Sequence, residues 1–367
     1  MKIVAIKERE AGETRTAITP EVTKLYVKKG FKVFVEKGLG IEANYPDREF
    51  EDAGATVSAI PLEILSDADI ILKVRPTPLI DQYNEIDMGR TKAVIVGLIS
   101  PYSNQKYIDR ASRKDISLIA MELVPRISKA QNMDVLSSQS NLVGYRAVIE
   151  ASYNYDRAFP MMMTAAGTVN PAKTLILGIG VAGLQAIATA KRLGSAVSAY
   201  DVRRATKEQA ESLGAKFVYP PSLAEDVEDK TGYAREVSKD FAVIQEEFLS
   251  SIIGGFDIVI TTAQIPGKPA PILITKEMIK KMKPGSIIVD TATSSGGNVE
   301  GSLPDKIVIG KGVKIIGPSN LATKIANDSS KLYAKNLYNF IDYAFQDGKI
   351  NFQDDLVKVM LVKNTEN

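Results

Sequence analysis

Three glycines in Gly178-Ile179-Gly180-Val181-Ala182-Gly183 follow the apolar run Lys173-Thr174-Leu175-Ile176-Leu177 and lead into a stretch with helical composition. At the end of a strand, the first such glycine permits a tight turn, the second lets backbone approach an anion, and the third lets helix and strand pack closely. The chemistry that suits is diphosphate binding. Free N–H groups and the positive dipole end of a helix beginning at Val181 and Ala182 would face a dinucleotide pyrophosphate. The next apolar run ends at Asp201, about 20 residues on, where a carboxylate accepts from the adenosine ribose hydroxyls and repels a 2′-phosphate. That favours NAD(H), with Val202 and Arg203 completing the ribose segment. Arg203 and Arg204 also suit a 2′-phosphate, and the bland alternative is a tight turn in an ordinary α/β domain followed by a surface aspartate.

Such a loop works only if a strand and a helix hold it, and the chain is patterned for both. Short β-rich apolar runs alternate with helical segments, the signature of an α/β fold with doubly wound parallel sheets in both halves. In the first half, strands are expected near Ile3–Ala5, Lys32–Val35, Ile70–Val74, Ala93–Ile99 and Ile116–Ala120, with helices near Pro20–Lys28, Leu62–Ser66 and Asn104–Arg113. Thr19, Pro20 and Gly30 punctuate the first helix as capping requires. In the second half, strands are expected near Thr174–Leu177, Ala196–Tyr200, Lys216–Val218, Ile258–Thr261 and Ser286–Val289, with helices including Ala182–Leu193 and Thr206–Leu213. Long helices are expected over Gln139–Phe159 and Asn320–Phe345. Two domains follow: residues 1–137 completed by about 320–367, and a Rossmann dinucleotide-binding domain over 138–319. The polar, turn-rich stretch from Tyr219 to Gly232 reads as a mobile loop, and Met161 to Met163 as core filler.

Composition narrows the chemistry further. The 367 residues hold 46 basic and 44 acidic side chains, a formal charge of +2, which does not suit a nucleic-acid surface. There is no cysteine and no histidine, so disulfides, thiolate or imidazole metal ligands and a Ser-His triad are excluded, and no metal site is expected. The segment Met1–Glu8 reads as a first strand rather than a signal-peptide core. No apolar run approaches the roughly 20 residues needed to cross a bilayer, so membrane work would require other chains as anchors.

The run Val124-Pro125-Arg126-Ile127-Ser128-Lys129-Ala130-Gln131-Asn132-Met133-Asp134-Val135-Leu136-Ser137-Ser138-Gln139-Ser140-Asn141 resembles the corresponding segment of the NAD(H)-binding α subunits of proton-translocating transhydrogenases. The resemblance continues through Ala158-Phe159-Pro160-Met161-Met162-Met163-Thr164-Ala165-Ala166-Gly167-Thr168, the glycine loop, and Thr261-Thr262-Ala263-Gln264-Ile265-Pro266-Gly267. It implies that Arg126, Gln131, Asp134 and Ser137 surround the nicotinamide, that Tyr233 lies on a mobile loop over the site, that Asp201 meets the ribose, and that Thr262 and Ala263 contact the cofactor. Taken alone, Arg126 and Asp134 read as a surface ion pair, and Tyr233 as a loop anchor.

The resemblance further implies NAD(H) on this chain, NADP(H) on a partner β subunit, a small membrane α subunit completing the proton path, and a homodimer. It implies a peripheral, cytoplasmic position on the inner face of a bacterial inner membrane, and a short, split subunit. The architecture is shared with alanine dehydrogenases, and Arg15 and Lys73 stand where that family positions its substrate-binding arginine and lysine. Its catalytic histidine position is Gly97 here and its catalytic aspartate position is Ser294. An amino-acid dehydrogenase must move a proton as well as a hydride, and this chain lacks the usual donor. Hydride transfer between two nicotinamides makes no such demand, so Arg126, Gln131, Asp134, Ser137 and Tyr233 are expected to act by alignment, and Arg15 and Lys73 as structural residues. An alanine-dehydrogenase-like oxidoreductase and a binding-only NAD(H) sensor are the competing readings.

Overall fold

The computed structural model describes residues 1–221, 239–265 and 267–362. It forms two compact units, Met1–Gln139 with Thr323–Asn367, and Ser140–Ala322. In the first unit, strands β1 (Lys2–Ala5), β2 (Lys32–Glu36), β3 (Thr56–Ser58), β4 (Ile70–Leu72), β5 (Val94–Gly97) and β6 (Ser117–Ala120) are parallel, in the order β6-β5-β4-β1-β2-β3. Leu361–Val362 adds an antiparallel edge beside β6, so the sheet is mixed. The central strands β1, β4 and β5 are buried along their whole length, which is why they read as continuous apolar runs. Helix Ala326–Ala344 covers one face through Tyr333, Leu337, Phe340 and Ile341. Its start is later than the sequence suggests because Leu321–Ile325 winds as a 3-10 turn.

The strand expected over Ile70–Val74 stops at Leu72. The Val74 N–H leaves the ladder and donates to a Glu8 carboxylate oxygen at 2.8 Å. The other oxygen accepts from the Arg75 N–H at 3.0 Å and lies 3.2 Å from the Lys73 ammonium, which is fully buried. Lys73 also donates to the Lys7 carbonyl, and its own carbonyl accepts from the Tyr333 hydroxyl at 2.8 Å. Beside this pair, Arg15 donates through Nε and Nη2 to Glu13 at 2.7 and 2.6 Å and through Nη1 to Gln139 Oε1 at 2.8 Å. Gln139 in turn donates to the Ser329 carbonyl. Both cations are therefore engaged within the unit by carboxylates and carbonyls, tying the C-terminal ends of β1 and β4 to helix Ala326–Ala344.

In the second unit, strands β7 (Lys173–Leu177), β8 (Ala196–Tyr200), β9 (Lys216–Phe217), β10 (Ile258–Thr261), β11 (Ile287–Asp290), β12 (Ile307–Gly310) and β13 (Val313–Ile316) form a sheet in the order β9-β8-β7-β10-β11-β13-β12. All pairings are parallel except the edge strand β12, which runs antiparallel to β13. The long helix after the first six strands spans Val135–Asn154, earlier than expected, because Asp134 caps it. The Asp134 carboxylate accepts from the Ser137 N–H at 2.8 Å and the Ser137 hydroxyl at 2.6 Å.

The core assignment of Met161 to Met163 is overturned. Met162–Thr164 pairs antiparallel with Gly167–Val169 in a separate two-stranded turn, and the three methionines are 57%, 44% and 76% exposed. A two-residue turn with no second layer has no core to fill. The stretch read as a mobile loop begins at Tyr219, which is packed against Phe217 and Tyr200; residues 222–238 lie outside the described residues.

The Lys73–Glu8 pair yields a pH test. Burial, the largest influence, raises the Glu8 carboxyl above its usual range, while Lys73 and the two backbone N–H groups oppose it. An acid whose folded-state pKa is raised stabilises the fold most when protonated, and that contribution is lost as pH climbs through the folded value. Lys73→Met removes the cationic side chain that opposes this burial and should cost about 3–5 kcal/mol near neutrality, with the loss shrinking in acid as Glu8 takes a proton. Urea unfolding across the pH range checks this; a loss that does not change with pH counts against it.

Candidate functional site

In the second unit the glycine loop leaves the C-terminal end of β7, next to the point where the strand order reverses between β7 and β10, the usual ligand position in open α/β sheets. Gly178 holds φ +95°, and a Cβ there would stand 2.9 Å from Thr262 Oγ1. A Cβ on Gly183 would stand 1.9 Å from the Gly178 carbonyl oxygen, so helix Val181–Arg192 rests directly on the strand end. Gly180, the N-cap, differs: a Cβ there would meet no atom within 4 Å. The first and third glycines are thus required by the protein's own packing, whereas the second faces open space where only a ligand would demand its smallness.

Asp201 follows β8 and is 5% exposed. One oxygen accepts from the Ile179 N–H at 2.6 Å and Arg203 Nη2 at 2.8 Å; the other accepts from the Arg203 N–H and Nε, each at 2.9 Å. Arg203 also donates to the Ile179 carbonyl at 3.2 Å, so the acid, the arginine and the glycine loop form one piece. Arg204 is exposed and lies over the Tyr219 ring, 5.5 Å from its centroid. Val202 is half-buried and packs towards the second unit's core.

Thr262 and Ala263 follow β10. Thr262 donates its hydroxyl to the Gly178 carbonyl at 2.9 Å, and the Ala263 backbone exchanges hydrogen bonds with the Asn298 side chain, at 3.1 and 2.9 Å. Asn298 is held by Asp290, a fully buried carboxylate that accepts from the N–H groups of Ala292, Asn298 and Val299 and from the Thr261 hydroxyl. Sequence reasoning missed Asp290 and Asn298 as the support of this loop. It also missed Gly144, where a Cβ would stand 2.0 Å from the Ala182 carbonyl oxygen. A glycine in the interior of a long helix, where it is unfavourable, was the available signal.

In the first unit, Arg126 and Gln131 are exposed, the latter within the 3-10 turn Ser128–Met133. Both oxygens of Asp134 are engaged by Ser137, so these two form a rigid helix-capping pair. Tyr233 lies outside the described residues. At Gly97, the position aligned with a catalytic histidine in alanine dehydrogenases, a Cβ would stand 2.6 Å from the Lys73 carbonyl oxygen; backbone closes it to any side chain. Ser294 is an exposed member of the 3-10 turn Thr293–Ser295.

Two family models match the chain: alanine dehydrogenase/PNT, N-terminal domain, over residues 4–143, and alanine dehydrogenase/PNT, C-terminal domain, over residues 147–366. An NAD(P) transhydrogenase alpha subunit of Rickettsia prowazekii is 64% identical over 362 residues, covering 99% of this chain and 94% of that protein. The crystal structure of transhydrogenase from Sinorhizobium meliloti matches with a TM-score of 0.89 at 46% identity, covering 99% of this chain and 98% of that one. An L-alanine dehydrogenase matches with a TM-score of 0.78 at 22% identity over 98% of this chain and 94% of its own, a likeness of fold. The chain therefore belongs to the alanine dehydrogenase/PNT family and, within it, to the transhydrogenase alpha subunits.

Proposed function

We propose that this chain binds NAD(H) and passes hydride between it and NADP(H) held on a partner β subunit, with proton movement through membrane partners. The observation that carries the reading is the open cradle at Gly180, set between two glycines that packing already explains. The N-terminus of helix Val181–Arg192, with Val181 and Ala182, would take the pyrophosphate; Asp201, Val202 and Arg203 the adenosine ribose; Thr262 and Ala263 the adjoining wall. Arg126, Gln131, Asp134, Ser137 and Tyr233 would orient the nicotinamide. When bound, the reduced cofactor supplies a hydride, and transfer to a second nicotinamide changes protonation at no oxygen or nitrogen. A chain with no histidine is then left with alignment as its task. The Asp134–Ser137 pair suits that task because its geometry is already fixed.

The partner assignments follow from the family: an NADP(H)-binding β subunit, a small membrane α subunit, and a second copy of this chain. Met161–Met163 offers the second unit an exposed apolar surface of the kind a second copy covers. Among the described residues no helix is long and apolar enough to cross a membrane, so attachment to the inner face of the inner membrane would run through partners. An alanine-dehydrogenase activity is disfavoured by the closed Gly97 position.

Two experiments test the reading. Mixed with an NADP(H)-binding domain of the family, the chain should support NADH-driven reduction of NADP⁺ that needs both components and falls at least tenfold in Gln131→Ala; NADH binding without any such rate favours a sensor. The two glycines should fail differently. Gly180→Val should leave the melting temperature within a few degrees while abolishing NADH binding, whereas Gly183→Ala, meeting backbone, should cost stability by roughly 1–3 kcal/mol or more, as overpacking does. Equal melting losses in both would remove the distinction between a ligand-facing and a packing glycine.

A further inference from the structure

Asp201 carries more contacts than a ribose acceptor needs. Four donors fill its two oxygens, and two of them, Nε and Nη2, come from one guanidinium. With 6% of its side chain exposed against 13% for Arg203, this is a bidentate pair largely withdrawn from water, where parting one partner from the other is expensive. Arg203 is therefore committed to Asp201 and cannot turn its fork to another anion. Its neighbour Arg204 is exposed, and among the described residues no carboxylate pairs with it; its guanidinium is held over Tyr219, which stacks on Tyr200 at 6.0 Å and Phe217 at 5.9 Å.

We propose that Arg203 and Arg204 form a latent 2′-phosphate site that Asp201 masks, so that one carboxylate decides which of two nicotinamide nucleotides the chain accepts. This rests on the reading that Asp201 lies at the adenosine ribose. A ribose hydroxyl donates to a carboxylate; a 2′-phosphate, mostly dianionic at neutral pH, has nothing to donate and meets it as a like charge. Removing the Asp201 charge does two things together. It lifts that repulsion, and it releases Nε and Nη2 of Arg203, still tethered to the glycine loop through the Ile179 carbonyl, beside the exposed Arg204. Two adjacent guanidinium forks on a backbone fixed by an aromatic stack make a phosphate site in place of a ribose site.

Titrating the purified full chain with NADH and with NADPH, following nicotinamide fluorescence, tests this with wild type, Asp201→Ser, Asp201→Asn and Asp201→Ser/Arg204→Ala. Serine and asparagine both keep an oxygen acceptor for the Ile179 N–H, so either serves if the other does not fold. Wild type should bind NADH at least tenfold more tightly than NADPH. The single variants should gain tenfold or more in NADPH affinity, with inorganic phosphate competing against NADPH but not NADH, and Arg204→Ala should cancel the gain. Folded single variants that gain no NADPH affinity, or a gain that survives Arg204→Ala, overturn the latent site while leaving the NAD(H) reading intact. Wild type that binds neither nucleotide overturns both.

Discussion

A helix can begin directly on the end of a strand only where no side chain stands between them, and the second unit is built on that constraint. Gly183 lies so close to the Gly178 carbonyl that a methyl group would overlap it. Once helix Val181–Arg192 is seated there, its other side meets the helix Val135–Asn154 at a second point without room for a Cβ, Gly144 against Ala182. The Thr262 hydroxyl then reaches the Gly178 carbonyl, and Asp201 reaches the Ile179 N–H. Strand ends, helix start and acidic residue are thus held by contacts that leave Gly180 alone facing outward.

The two units bury carboxylates at strand ends by different physics. Glu8 in the first unit is matched by a cation, Lys73, and still has its carboxyl raised by burial. Asp290 in the second is surrounded by backbone N–H groups and a threonine hydroxyl. The first arrangement couples two charges whose separation is costly; the second converts a charge into a template for backbone, shaping the loop from Ala292 to Val299. Both make turns rigid where irregular backbone would otherwise wander.

Much of the strand layout was legible because central parallel strands are apolar on both faces and stand out as runs; Ala196–Tyr200 and Ile258–Thr261 have the bounds their composition suggests. Short edge strands such as Thr56–Ser58 and Ile307–Gly310 were not legible, since half-exposed triplets and quartets carry little periodicity. Met161–Met163 misled because apolar composition says nothing of whether a second layer exists to cover it. At the site, the spacing of the glycines gave away the turn, but the engagement of Asp201 by Arg203 is a matter of side-chain conformation two residues apart, which no spacing encodes. Asp290 and Asn298 escaped for a related reason: their partners are loop backbone, and loops carry no pattern.

The antiparallel edge strand Ile307–Gly310 ends the second sheet with Ile307 and Ile309 more than half exposed, an arrangement that invites a neighbouring chain to add itself. It is bracketed by Lys306 and Lys311. If two copies paired these strands antiparallel about their shared centre, each Lys306 would fall opposite the other chain's Lys311, setting ammonium against ammonium at both ends of the ladder. Like charges at those positions turn an adhesive edge into a repulsive one. The sheet is thereby protected against growing into a continuous ribbon, and that protection should weaken as added salt screens the four charges.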